Sequence, residues 1–360
     1  MIKPVYINAA HTISPQPTYE NGFFDAELLR EPKDFLQILA PPYKEFIPPK
    51  RLRRMTKLMR LGLVGVQKVL EQAPLKHFDG IIVGSGNGNI SDTQKFLNAI
   101  LDNKEQLLVP TSFVQSTPNI VSGSIALMLE NKGYNMTYCH HNAAFENSLL
   151  DAIMLLQEPD YHHILVGGLD EITEENLEVR SGSNLWNREK TDPLSIFDHP
   201  LKGALTGESS AFFILSDELM ESTYAEVVDT DSFHKNDARE IRKSINIFLN
   251  KNGMTASDID LVLSGLNGVP AYDNPQIALI KELFPAIPIG AYKQFTGEHP
   301  TASAFGFWMA AQILNGAEIP AEVFHPESPE APQEIKTVLI IQKDYLTGSS
   351  FALTLLRKVL

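Results

Sequence analysis

Cysteine is almost absent from this chain, with one in 360 residues, and so is any long apolar run. One thiol excludes an internal disulfide. No stretch approaches the roughly 18–20 apolar residues of a membrane-spanning helix, and the amino-terminal MIKPVYINAA lacks the apolar run and cleavage site of a signal peptide, so a cytoplasmic protein without a membrane span is expected. Cations are also scarce. Lys and Arg total 30 against 44 Asp and Glu, a net charge of -14 that disfavours nucleic acid and anionic membrane as partners. No CxxC or HxxxH spacing offers a zinc site, and no cofactor or metal is expected. What the chain does have is 43% hydrophobic content, enough for a large core in two or three domains or one two-lobed unit.

The most informative stretch is Asn135 to Glu158, NMTYCHHNAAFENSLLDAIMLLQE, which reads as a buried strand turning abruptly into an apolar-faced helix. At such an elbow a side chain stands at the sheet edge, facing the unsatisfied N–H groups and positive dipole end of the new helix. The turn carries Asn142, Ala143, Ala144 and Phe145, with no Ser or Cys; the nearest thiol, Cys139, lies earlier, in the strand. Upstream, Arg51 to Gln72 has helical spacing with five cations at its start, Arg51, Arg53, Arg54, Lys57 and Arg60. Placed there they oppose the helix dipole, so they have anionic partners, either inside the protein or on a ligand. Asp79 to Gly84 is an apolar run suited to a buried parallel strand; the GSGNGN that follows departs from the GxGxxG of a dinucleotide loop. Asp92 is expected to cap the next helix, residues 110 to 119 to form a loop, and Ile120 to Asn131 a helix. Strands are expected at Val5 to Ala10, Tyr161 to Gly168, Glu208 to Leu215, Tyr224 to Val228, Asp260 to Leu263, Thr337 to Ile341 and Phe351 to Leu355. Helices are expected near Ala238 to Asn250, Pro275 to Leu283 and Thr301 to Asn315. Alternating strands and helices give an α/β fold, and two half-chains with one order of elements suggest a pseudo-twofold arrangement.

Six segments in this order carry a family resemblance: RRMTKLMR at 53–60, PTSFVQSTPNIVSG at 110–123, the elbow, ILVGGLDE at 164–171, TGESSAFFIL at 206–215 and KQFTGEHPTASAFG at 293–306. Together they resemble the β-ketoacyl synthases, the condensing enzymes of fatty-acid and polyketide synthesis. The resemblance implies a thiolase-like α-β-α-β-α sandwich of two pseudo-repeats, residues 1–216 and 217–360. TSFVQSTPN and GEHPTASAF look most like the divergent branch of aryl-polyene and flexirubin pigment clusters.

A working ketosynthase uses a Cys at the elbow as nucleophile and two His that assist decarboxylation and stabilise the oxyanion. Carried over, the Cys position falls on Phe145, or on Ala144 with a one-residue shift. The first His position falls on Gly265, and the second, after Lys-x-x-x-Gly, on Glu298, with His299 one place late and Lys293 matching the family lysine. Such replacement is similar to the chain-length-factor subunits, which lack the nucleophile and pair with an active ketosynthase. The resemblance thus implies a noncatalytic subunit, a homodimer or a heterodimer with a ketosynthase along Asn135 to His140, and an acyl carrier protein as partner. It places Phe113, Gln115 and Phe145 at the acyl pocket and the Arg51 to Arg60 cations at carrier docking. The alternative is an active 3-oxoacyl synthase or other thiolase-fold acyltransferase, with Cys139 as nucleophile and His140 or His141 as base. Adjacent strand residues point to opposite faces, which favours an inert, buried Cys139. Lys293 and Glu298 form either an acid/base pair or a structural ion pair, and Phe113 either limits the chain or packs in the core.

Overall fold

A computed structural model describes residues 3–20, 23–24, 27–75 and 77–359. Ten strands form its main sheet: β1 (Tyr6–Ile13), β2 (Gly80–Ser85), β3 (Tyr134–Cys139), β4 (His163–Asp170), β5 (Ser209–Ser216), β6 (Ala225–His234), β7 (Leu261–Ser264), β8 (Ile289–Ala291), β9 (Thr337–Lys343) and β10 (Ser350–Arg357). Across the sheet the order is β3-β2-β4-β5-β1 followed by β6-β10-β9-β7-β8. Within each half, the first strand in the chain lies at the centre of the sheet, the fifth lies beside it and runs antiparallel to both neighbours, and the remaining three are parallel. The second half therefore repeats the first, and the two join where Tyr6 and Ile7 of β1 pair with Glu226 and Ala225 of β6.

Helices layer this sheet by how much of their circumference is apolar. The helix at Ala238–Lys251 buries only Ile241, Ile245, Phe248 and Leu249, one stripe, and its N-terminus is capped by Asp237, which accepts from Arg239 N and Glu240 N. Such a helix covers an outer face. By contrast Ala302–Leu314, ASAFGFWMAAQIL, has no charged residue and buries every position except Gln312. It touches strands of both halves, as does Ala144–Gln157, so these two helices form a middle layer between the halves. Lys57–Gln72 and Ile120–Met128 cover the other face of the first half.

Several boundaries differ from the sequence expectation for local reasons. The stretch Arg51 to Gln72 is not one helix: Pro49–Leu52 makes a separate turn, and the main helix starts at Lys57 with Thr56 accepting from Met59 N. Arg51, Arg53 and Arg54 thus precede the helix and do not oppose its dipole. Residues 110 to 119 are not a loop throughout, because Pro110 begins a short helix to Gln115, and proline is well suited to the first helical position. Asn89, not Asp92, stands at the cap of Ile90–Asp102. No helix among the described residues is long and apolar enough to cross a membrane.

Candidate functional site

The elbow is built by close backbone approach. A side chain at Gly84 on β2 would collide with the Ala144 carbonyl, so glycine lets the start of the Ala144–Gln157 helix sit against the strand. Phe145, where the resemblance would put the nucleophile, is 1% exposed, its ring 5.7 Å from Phe213 and 5.4 Å from Phe307 between centroids. Phe145 is thus an aromatic anchor of the core. Ala144 is buried as well.

Gly265 directly follows β7, and a Cβ there would run into Gln342 Oε1 and lie 3.0 Å from the Tyr292 hydroxyl. The space a histidine would need is taken by a hydrogen-bonded Gln342–Tyr292 pair. Glu298 is reached by a loop that turns at Gly297, whose φ of 74° favours glycine and whose backbone packs on Gly207. There the Glu298 carboxylate accepts from Lys293 Nζ at 2.6 Å and from Asn267 Nδ2 at 3.1 Å, with both charged side chains almost wholly buried. Asp273 closes the same cluster, accepting from Asn267 N and Gly268 N; burial pushes its carboxyl up to about 6. Glu146, next to Phe145, is likewise raised to about 6 by burial, and its Oε2 has no hydrogen-bond partner.

His299 turns away from this ion pair. Its Nε2 is 3.0 Å from Ser209 Oγ and its Nδ1 lies 3.9 Å from Asp170 Oδ2, too far for a hydrogen bond. Asp170 is the hub on that side, accepting from Ser85 Oγ, Gly86 N, Asn87 N, Thr301 N and Thr301 Oγ1. Burial opposes its ionisation, but His299 beside it and these donors hold the carboxyl below the usual aspartate range. The GSGNGN loop therefore points its amides at an internal carboxylate and not at a phosphate.

Cys139 overturns the expectation of a buried thiol. It is exposed at the end of the edge strand, before the elbow, with Sγ 3.6 Å from Gly86 O. Desolvation, then the Asp170 charge, push its pKa up, which disfavours the thiolate a nucleophile needs. Phe113 is 57% exposed, its ring 5.2 Å from Phe96, so it does not pack in the core; Gln115 donates to Arg54 O. Of the cations, Lys57 pairs with buried Glu208 and Arg60 donates to Leu52 O, whereas Arg51, Arg53 and Arg54 are exposed without an ion pair among the described residues. Asp170, Asn267 and Asp273 were not singled out from the sequence. Asp170 had a signal, a carboxylate ending an apolar strand.

Residues 30–183 match the family "Beta-ketoacyl synthase, N-terminal domain". Over that segment the chain is similar to the β-ketoacyl synthases. A curated relative, the 3-oxoacyl-[acyl-carrier-protein] synthase 2 of Synechocystis sp., is 24% identical over 340 residues, covering 86% of this chain and 79% of its own length. Among solved structures, the ishigamide ketosynthase/chain length factor superposes with a TM-score of 0.83 at 18% identity over the full length of both chains. A type II PKS acyl-carrier protein in complex with its ketosynthase gives 0.76 at 11% identity, covering 99% of this chain and 100% of the other. The fold is thiolase-like, and its two pseudo-repeats are the two halves of the sheet.

Proposed function

We propose that this chain is a noncatalytic, chain-length-factor-like subunit that pairs with an active ketosynthase and acts on carrier-bound chains in fatty-acid or polyketide-type elongation. One observation carries the reading: the residues at the three positions that the resemblance assigns to catalysis are each integrated into the packing. Phe145 is a core ring, the space beside Gly265 is filled by Gln342, and Glu298 is tied to Lys293. A covalent condensation needs a nucleophile, and none stands at the elbow.

Pairing is supported by β3, which lies at the end of the sheet with only β2 beside it. An unpaired edge strand is a template for a second chain. Exposed Leu101, Phe113, Val114, Leu127, Met136 and Met154 lie on β3 or on the helices of this half, an apolar set suited to burial against a partner. A carrier protein is supported by the free cations Arg51, Arg53 and Arg54 on an otherwise acidic chain, and by the solved carrier–ketosynthase complex that this fold resembles. The TSFVQSTPN and GEHPTASAF segments are the basis for assigning it to the aryl-polyene and flexirubin-type branch.

The test is reconstitution. The chain alone should not condense acyl groups with malonyl-carrier protein, while a ketosynthase encoded beside it should bind it and extend chains only in its presence. Condensation by the isolated chain, or stable acylation of Cys139 by acyl-thioesters, would return the assignment to an active acyltransferase.

A further inference from the structure

Beside the vacated centre lies a cavity of about 200 Å³ in which several polar groups have no partner. Arg180 comes from the last turn of the helix Glu174–Ser181, its guanidinium carbon 4.3 Å from the centre of the Trp186 ring. It forms no ion pair among the described residues, and its Nη1 is buried without a hydrogen bond. The carboxylates whose charge acts on it are engaged elsewhere, Glu298 by Lys293 and Asp170 by its own donors. Asn176 stands one turn before Arg180, on the same helix face, with a buried and unpartnered Oδ1. His299, only 2% exposed, also lines the cavity, and its Nδ1, beside Asp170, has no hydrogen-bond partner. Buried polar atoms are normally paired, and three residues with unpartnered atoms around one cavity, one of them a cation, mark a place where a ligand completes the set.

We propose that this cavity binds a small monocarboxylate, held by the Arg180 guanidinium and flanked by Asn176 and His299. A planar carboxylate matches the guanidinium fork, and the Asn176 amide, rotated about its last bond, presents its NH2 to a carboxylate oxygen. Glu298 and Asp344 also line the space, so a dianion meets more repulsion than a monoanion. Trp186, Tyr345 and Leu346 supply apolar wall for a short hydrocarbon or aromatic body. The volume is below the roughly 300–1,000 Å³ of drug-sized sites, so the ligand is small. Desolvation lowers the pKa of the half-buried Arg180 guanidinium, against the opposing charges of Asp170 and Glu298. This site goes beyond the pairing proposed above and does not depend on it.

Intrinsic fluorescence tests it directly. The chain has two tryptophans; Trp308 is 1% exposed in the core, so Trp186 reports on the cavity. Butyrate, benzoate and inorganic phosphate are titrated separately at constant ionic strength, with calorimetry in parallel. The proposal expects saturable binding of butyrate or benzoate in preference to phosphate, and no fluorescence response in Trp186→Phe. Binding should be weaker by at least about tenfold in Arg180→Gln, with Arg180→Lys, which keeps the charge but loses the fork, in between. Thermal melting of each variant identifies any that unfolds, in which case Arg180→Lys and Asn176→Leu carry the comparison. Absence of saturable binding by either carboxylate, native affinity in the Arg180 variants, or tighter binding of phosphate overturns the assignment. None of these outcomes bears on whether the chain condenses acyl groups, which the reconstitution reads separately.

Discussion

Replacing Lys293 by methionine would leave the Glu298 carboxylate buried with Asn267 Nδ2 as its remaining side-chain donor, since the 2.6 Å ion pair is its main compensation. Breaking one side of a buried pair costs about 3–5 kcal/mol, because the surviving charge has lost both water and partner. Glu298→Gln should cost a similar amount by stranding the ammonium, which is 1% exposed. Replacing both, as Lys293→Met with Glu298→Leu, removes the uncompensated charge and should lie within about 1 kcal/mol of the native chain. The expected cycle is therefore strongly non-additive, with a coupling of at least about 3 kcal/mol. Urea unfolding followed by far-UV circular dichroism reads each corner, provided the slopes agree. Single variants that unfold at the native midpoint, or a double variant as unstable as the two singles summed, would refute a pair held for structure.

Phe145→Ala should lower stability by about 3–5 kcal/mol by emptying an aromatic site, and Phe145→Cys should not create condensing activity, because Gly265 and Glu298 still supply no oxyanion donors. Met136→Lys places a charge on the exposed edge strand and should shift a dimer toward monomer, seen by light scattering; an unchanged mass would move the interface elsewhere. Phe113→Ala in the reconstituted heterodimer should lengthen products if that ring limits chain growth, since excluding extra methylenes by overpacking is worth about 1–3 kcal/mol; reduced yield at unchanged length would sink the claim. For Glu146, burial raises the native pKa from 4.5 to about 6. The native state then binds more protons than the unfolded state between those values, so this stabilisation is complete below about 4.5 and is lost as pH rises through 6. At about 1.4 kcal/mol per pKa unit that amounts to about 2 kcal/mol. Glu146→Gln should flatten the stability profile in that window, and a profile identical to the native one would show that this carboxyl does not cause it.

The amino-acid sequence by itself determined the alternation of strands and helices, because apolar runs such as IIVG on β2 and ILVGGL on β4 are signatures of strands covered on both faces. It also marked the inner helix: ASAFGFWMAAQIL carries no charge, and such a helix can only be interior. The local contexts of Phe145, Gly265 and Glu298, which the resemblance assigns to catalysis, were also visible in the sequence. The partners of those residues were not. Asn267 meets Glu298 across 31 residues and Ser85 meets Asp170 across 85, and no local periodicity encodes contacts of that separation. Nothing local in the sequence sets Arg180 apart, and only the tertiary structure brings Trp186 and the cavity to it. The basic run at Arg51 to Arg60 looked uniform in sequence, and only the tertiary structure divided it into cations satisfied inside and cations left free, because a side chain's partner is set by which surface the fold brings to it.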